Sequence, residues 1–207
     1  MIDIIYSGGW VMIPLAVLSM AALAIIFERL WILRRSNYLE GSIVEALAGL
    51  LAGRKFRSAV DYCHRHQGPF TELVATLVEN RHAPYDELKE ILEDTGRLQL
   101  MGLQRGLPAL GTIVAGAPLL GLLGTVIGMI KIFSVVASAG SSITEQLSSG
   151  ISQALITTAA GLVIAIPALF THSYLEARAV SILADIEAQI LDFLHLVRRP
   201  ETAEEEE

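Results

Sequence analysis

Cysteine occurs once in the 207 residues, at Cys63, so no disulfide can form within the chain. Tyr62-Cys63-His64-Arg65-His66 gathers one thiol and two imidazoles. Structural zinc sites need four ligands at defined spacing, and the run falls short of that. It reads as a thiol and two histidines on a helix outside any membrane, with no metal. Aromatic residues make up 6 % of the chain and no basic stripe interleaves with them, so nucleic acid is not an expected partner. Positive charge is in deficit, at a net of -7, but much of that comes from the tail Glu201 to Glu207. Such a run reads as solvated and disordered. Between residues 32 and 106 nothing reads as a strand and no nucleophile–base grouping stands out. That region is too short and broken for an enzyme domain, and neither a catalytic residue nor a cofactor is expected.

Long apolar segments are what the chain does have. Apolar residues account for 53 % of it, and three segments exceed a buried core helix in length, which makes an integral membrane protein the leading class. The first span is expected from Ile4 to Phe27, with Pro14 in its first half as a mild kink and Trp10 and Trp31 at interfacial depth. Its flank, Met1-Ile2-Asp3, lacks the positive charge of a signal peptide and reads as a retained anchor. The second span is expected from Leu107 to Ile130. The third, Gln146 to Tyr174, holds no Asp, Glu, Lys or Arg.

Eleven of the fifteen basic residues lie between Arg29 and Arg105, three follow the third span, and Lys131 alone lies between spans two and three. Basic residues favour the inner side, so the N-terminus and the loop 131–145 are expected outside, and the middle region and C-terminus inside. The inner region reads as helices. One holds Ile43, Ala46, Leu47, Leu50 and Leu51 and stops at Gly53. A second holds Phe56, Ala59, Val60 and Cys63 and breaks at Gly68-Pro69. A third runs from Thr71 to Asn80, and one long helix from Tyr85 feeds span two. After span three, Leu175, Ala179, Ile182, Ile186, Ile190, Phe193 and Val197 keep an apolar stripe, which Pro200 ends. It suits packing against the helix before span two, or against a neighbouring subunit.

Side-chain size is sorted within the spans. Gly150, Ala154, Thr157, Thr158, Gly161, Ala165 and Ala168 share one face of span three, with the bulky residues opposite. Ala117, Gly121, Gly124, Thr125 and Gly128 share one face of span two, including a Gly-x-x-x-Gly pair. Small faces of this kind suit close helix approach. The hydroxyls of Thr125 and Thr158 suit either a bond to their own backbone or a water or partner group in a cavity. No ionisable residue lies near the centre of any span; Glu28, Arg29 and His172 sit near inner ends. A proton relay needs a titrating group within the membrane, and this chain does not supply one.

The run Ala117-Pro118-Leu119-Leu120-Gly121-Leu122-Leu123-Gly124-Thr125-Val126-Ile127-Gly128 resembles the signature of the ExbB/TolQ/MotA family. So does Gly150 to Leu162, followed by Ala165-Ile166-Pro167-Ala168. Three spans and a compact inner region favour the ExbB/TolQ branch. The resemblance implies a homopentamer around a pore that holds the single transmembrane helices of an ExbD- or TolR-like partner carrying a membrane-embedded aspartate. It also implies a TonB- or TolA-like transducer and the inner membrane of a Gram-negative bacterium. Thr125 and Thr158 match the family's pore threonines, and Thr157 and Gln153 are placed with them on the ion pathway. Gln153 departs from the family's glutamate. Gly121, Gly124, Gly128 and Gly161 are expected to pack helices in the ring.

The fold class expected is an all-α membrane protein: three transmembrane helices, long helices extending into a cytoplasmic helical region, and a pentameric ring. Its parts are a periplasmic N-terminus with helix 1 (1–31), a cytoplasmic region (32–106), helix 2 (107–130), a periplasmic loop (131–145), helix 3 (146–174), a cytoplasmic extension (175–199) and an acidic tail (200–207). The expected role is a proton-channel subunit that energises TonB-dependent transport. TolQ-like envelope maintenance and gliding or secretion motors are the alternatives within the family. A solute transporter would need a polar midplane site with broken helices and internal repeats, which are not seen. A passive scaffold would tolerate alanine at both threonines.

Overall fold

The structure is a computed structural model that describes residues 8–33, 38, 40–138 and 143–198. Among them are seven helices: α1 (Met12–Ile32), α2 (Gly41–Ala52), α3 (Phe56–Arg65), α4 (Pro69–Glu79), α5 (Tyr85–Leu103), α6 (Leu107–Ser138) and α7 (Ile143–Arg198). Three of them, α1, α6 and α7, are long and apolar enough to cross a membrane. The chain divides into two compact units, residues 1–31 with 106–175, and residues 32–105 with 176–207.

In the first unit, α1 begins at Met12, and the expected span start at Ile4 lies outside the described residues. Gly9 adopts φ +70, a conformation open to glycine, and Gly8 to Val11 form a turn. Pro14 therefore falls in the first turn of the helix, where no partner for its missing N–H is needed, and the expected kink has no cause. The helix runs on to Ile32, so its 21 residues rise about 32 Å, enough for a hydrocarbon core of about 30 Å. Trp10 precedes it and Trp31 is its penultimate residue, both exposed. Val11 and Leu15 pack with Ala117 of α6 and Ala165 of α7, and Met12, Leu18, Leu120, Ile127, Ala160 and Ile164 surround them. Helix α6 continues to Ser138 and α7 starts at Ile143, so most of the expected outer loop 131–145 is helical.

In the second unit, α4 is the central helix, with Phe70, Leu73, Val74, Leu77 and Val78 all buried. Gly68 and Pro69 do more than break α3: Gly68 is the N-cap of α4 and Pro69 opens its first turn. The Thr71 hydroxyl donates to the His66 and Gly68 carbonyls at 2.6 and 3.0 Å and ties the α3–α4 link. Gly53 caps α2 as expected, its N–H on the Gly49 carbonyl. The apolar stripe of α7 is buried in its own chain at Ala179, Ile182, Ile186, Ile190 and Phe193. Phe193 meets Phe70 at 5.7 Å between ring centroids, and a Cβ on Gly96 of α5 would lie 3.2 Å from Glu187 Oε1.

The expected continuous helix from Tyr85 into span two is broken. Helix α5 ends at Leu103, and Gly106 turns the chain with φ +84 before α6 starts. An L residue pays to sit at that φ, and Pro108 then fits the first turn of α6. The expected stop at Pro200 and the acidic tail lie outside the described residues, as do Met1 to Ser7.

Candidate functional site

Helices α6 and α7 run antiparallel and meet along their small faces. A Cβ added to Gly161 would lie 2.6 Å from the Ala117 carbonyl oxygen and 3.2 Å from Gly121 Cα. One on Gly121 would lie 2.9 Å from the Thr157 oxygen and 3.1 Å from Thr158 Cα. One on Gly128 would lie 2.9 Å from the Gly150 oxygen and 3.0 Å from Ala154 Cβ, and Gly124 faces the Thr157 side chain directly. Backbones this close leave no room for any side chain, which is why these four positions are glycine. Within one chain all four glycines make their close contacts across this seam.

The four expected pathway residues separate. The Thr158 hydroxyl is half-buried and donates to the Gly121 carbonyl across the seam at 3.2 Å. That carbonyl belongs to the residue one turn before Thr125, whose own hydroxyl donates to the Leu122 carbonyl at 2.7 Å. Thr125 and Thr158 thus share one level of the seam. Thr157 does not join them on a surface: it is fully buried under Gly124, with its hydroxyl on the Gln153 and Ala154 carbonyls at 3.1 and 2.9 Å. Its side chain has no exposed surface in this chain. Gln153 lies against Gly9, beside the start of α1.

Two polar residues, at the end of α1 and near the end of span three, are seated more deeply than a sequence flank suggests. Arg29 is 6 % exposed, pairs with Glu28 at 3.0 Å, and brings Nε within 3.5 Å of the place a Gly106 Cβ would take. The His172 ring edge fills the space left by Gly111, with Nε2 3.2 Å from where a Cβ would stand. The signal for both was a glycine one helix away, which no pattern along a single helix reveals.

The thiol and imidazoles of the 62–66 run point apart. Cys63 is buried, and desolvation, with a smaller push from Glu72, raises its pKa from the ordinary 9.0 to about 11. His66 stacks on Tyr62 at 4.2 Å, and His64 is exposed. Among the described residues no three His, Cys, Asp or Glu side chains converge as a metal set would.

The seam lies within the residues that match a known family. The model of the MotA/TolQ/ExbB proton channel family matches residues 65–188, more than half of the chain. The chain belongs to that family. The biopolymer transport protein ExbB-like 1 of Synechocystis sp. PCC 6803 is 35 % identical over 205 residues, covering 95 % of this chain and 76 % of that one. The biopolymer transport protein exbB1 of Vibrio cholerae is 38 % identical over 120 residues, covering 56 % and 51 %. The Tol-Pal system protein TolQ of Haemophilus influenzae is 33 % identical over 101 residues, covering 49 % and 44 %. This MotA/TolQ/ExbB protein is therefore a channel-type subunit similar to both ExbB and TolQ proteins.

Proposed function

We propose that the protein is the proton-channel subunit of an inner-membrane motor. Five copies form a ring around the single transmembrane helices of an ExbD- or TolR-like partner, and a TonB- or TolA-like transducer carries force to the outer membrane. The observation that carries this reading is the Thr158 bond to the Gly121 carbonyl, one turn from Thr125. It stands between two helices, α6 and residues 146–174 of α7, that contain no Asp or Glu. A charge in mid-membrane costs roughly 2.5 to 3.5 kcal/mol or more, so the moving proton rides on the partner's carboxyl group. A hydroxyl both donates and accepts. While Thr158 donates to Gly121, its oxygen accepts from a protonated carboxyl. When the carboxyl loses its proton, the same hydroxyl turns to donate to the carboxylate. Thr125 does likewise from Leu122. Each proton brings about 2.3 kcal/mol per 100 mV, enough for several to drive a cycle.

The test replaces hydroxyl by methyl. Thr158→Val, and less severely Thr125→Val, is expected to leave the complex assembled and reduce energy-dependent uptake to near that of a null strain. Thr157→Val, whose hydroxyl serves only its own helix, and Gln153→Ala, whose amide carries no proton, are expected to do much less. Full uptake in the Thr125→Val, Thr158→Val double variant would make both threonines packing residues. The similarity to TolQ favours a second reading, envelope maintenance. Detergent sensitivity of a deletion strain, with normal growth under iron limitation, would select it.

A further inference from the structure

The α2–α3 turn carries three cations in four residues: Arg54, Lys55 and Arg57, all exposed. Phe56 stands between them, and the Arg81 guanidinium covers its ring at 4.9 Å from the centroid. Arg81 also donates to the Val78 carbonyl at 3.0 Å, which fixes this fourth cation beside the turn. Two residues further on, the Ala83 carbonyl accepts a hydrogen bond from Arg198, the last residue of α7, whose guanidinium also lies over the Tyr85 ring at 5.6 Å. The end of α7 is thus tied to the same short link, residues 80–85, whose Arg81 reaches Phe56. Asp61 and Glu79 are the acidic residues nearest these cations in sequence. Beyond Arg198 the sequence reads Arg-Pro-Glu-Thr-Ala-Glu-Glu-Glu-Glu, with five glutamates in its last seven residues.

We propose that the basic turn Arg54-Lys55-Phe56-Arg57, with Arg81, is the docking surface for the chain's own acidic C-terminal segment. Charge complementarity and tethering carry the assignment. Glu204 to Glu207 are six to nine residues past the Arg198 anchor, a reach of about 20 to 30 Å when extended. Covalent attachment holds them at high local concentration, so pairs that are individually weak act together. An anionic lipid surface and the acidic segment of a neighbouring copy are the competing occupants.

The experiment is carbodiimide cross-linking of the full-length protein in membrane complexes reassembled from dissociated, isotopically light and heavy subunits and read by mass spectrometry. Lys55 is expected to join Glu204 to Glu207 within one chain. Lys89, which pairs with Glu93 at 3.7 Å on α5, serves as the amine control and is expected not to. The Lys55 product is expected to fall several-fold with Arg57→Gln plus Arg81→Gln. It is expected to vanish at about 1 M salt, where screening acts within about 3 Å. Light–heavy products alone would assign the surface to a neighbour's segment. Lys55 equally shielded from an amine reagent after Glu204–Glu207 are changed to Gln, but only in anionic-lipid nanodiscs, would assign it to lipid. Either result, or no Lys55 product at all, overturns the proposal.

Discussion

Gly124 and Thr157 meet face to face, and each sets the size allowed to the other. A Cβ on Gly124 would stand 2.5 Å from Thr157 Cβ, whereas one on Gly116, also in α6, would meet nothing within 4 Å. Gly124→Ala is therefore expected to destabilise the protein by about 1 to 3 kcal/mol, the usual cost of overpacking, and Gly116→Ala to cost nothing. Thr157→Gly in the Gly124→Ala background is expected to recover part of the loss, measured by thermal unfolding of the purified complex. Strict additivity of the two changes would contradict the contact. Cys63 obeys a different constraint. Its thiol is held neutral, with the pKa raised from 9.0 to about 11. The folded state thus prefers the protonated form, and this contribution is complete below pH 9 and is lost as pH rises through 11. At pH 8 the thiolate fraction alone slows alkylation about a hundredfold relative to the unfolded chain, and burial slows it further. Comparing iodoacetamide rates with and without denaturant checks this.

At the scale of elements, the helices were legible because their apolar residues recur at helical spacing, and the caps Gly53 and Gly68-Pro69 stand where they end. What pairs with what was not legible. The small stripes on α6 and α7 read equally well as subunit contacts, since spacing along one helix does not name the surface opposite. Thr157 and Thr158 are neighbours in sequence, yet one is sealed under Gly124 and the other crosses to Gly121, a difference of one helical position. The break between α5 and α6 was hidden for a related reason. Gly102 and Gly106 look alike in sequence, but only Gly106 has φ +84. Gly106→Ala is expected to cost roughly 1 to 2 kcal/mol from its left-handed backbone. Gly102→Ala, inside α5 with nothing within 4 Å of its Cβ position, is expected to gain up to about 1 kcal/mol from helix propensity. Chemical denaturation of the two variants side by side tests the break; equal effects would deny it.

For the whole molecule, the number of apolar helices was readable from composition, while the side of the membrane each end occupies rests on charge. Lys131 is the sole basic residue between Gly106 and Tyr174, and it is exposed on α6 beyond the glycine seam. Translocating a segment with one cation is easier than translocating the eleven between Arg29 and Arg105, and from that asymmetry we propose that the α6–α7 link lies outside. The topology is testable with single cysteines. Cys63 is buried and behaves as a small hydrophobe, so Cys63→Ala is the background least damaging to the core. In it, cysteines at Ser7 and Ser141 are expected to react with a membrane-impermeant maleimide in intact spheroplasts. A cysteine at Ser58, exposed on α3, is expected to react only after lysis. Labelling at position 58 in intact cells, with 7 and 141 protected until lysis, would invert the protein and place the basic turn and the end of α7 outside.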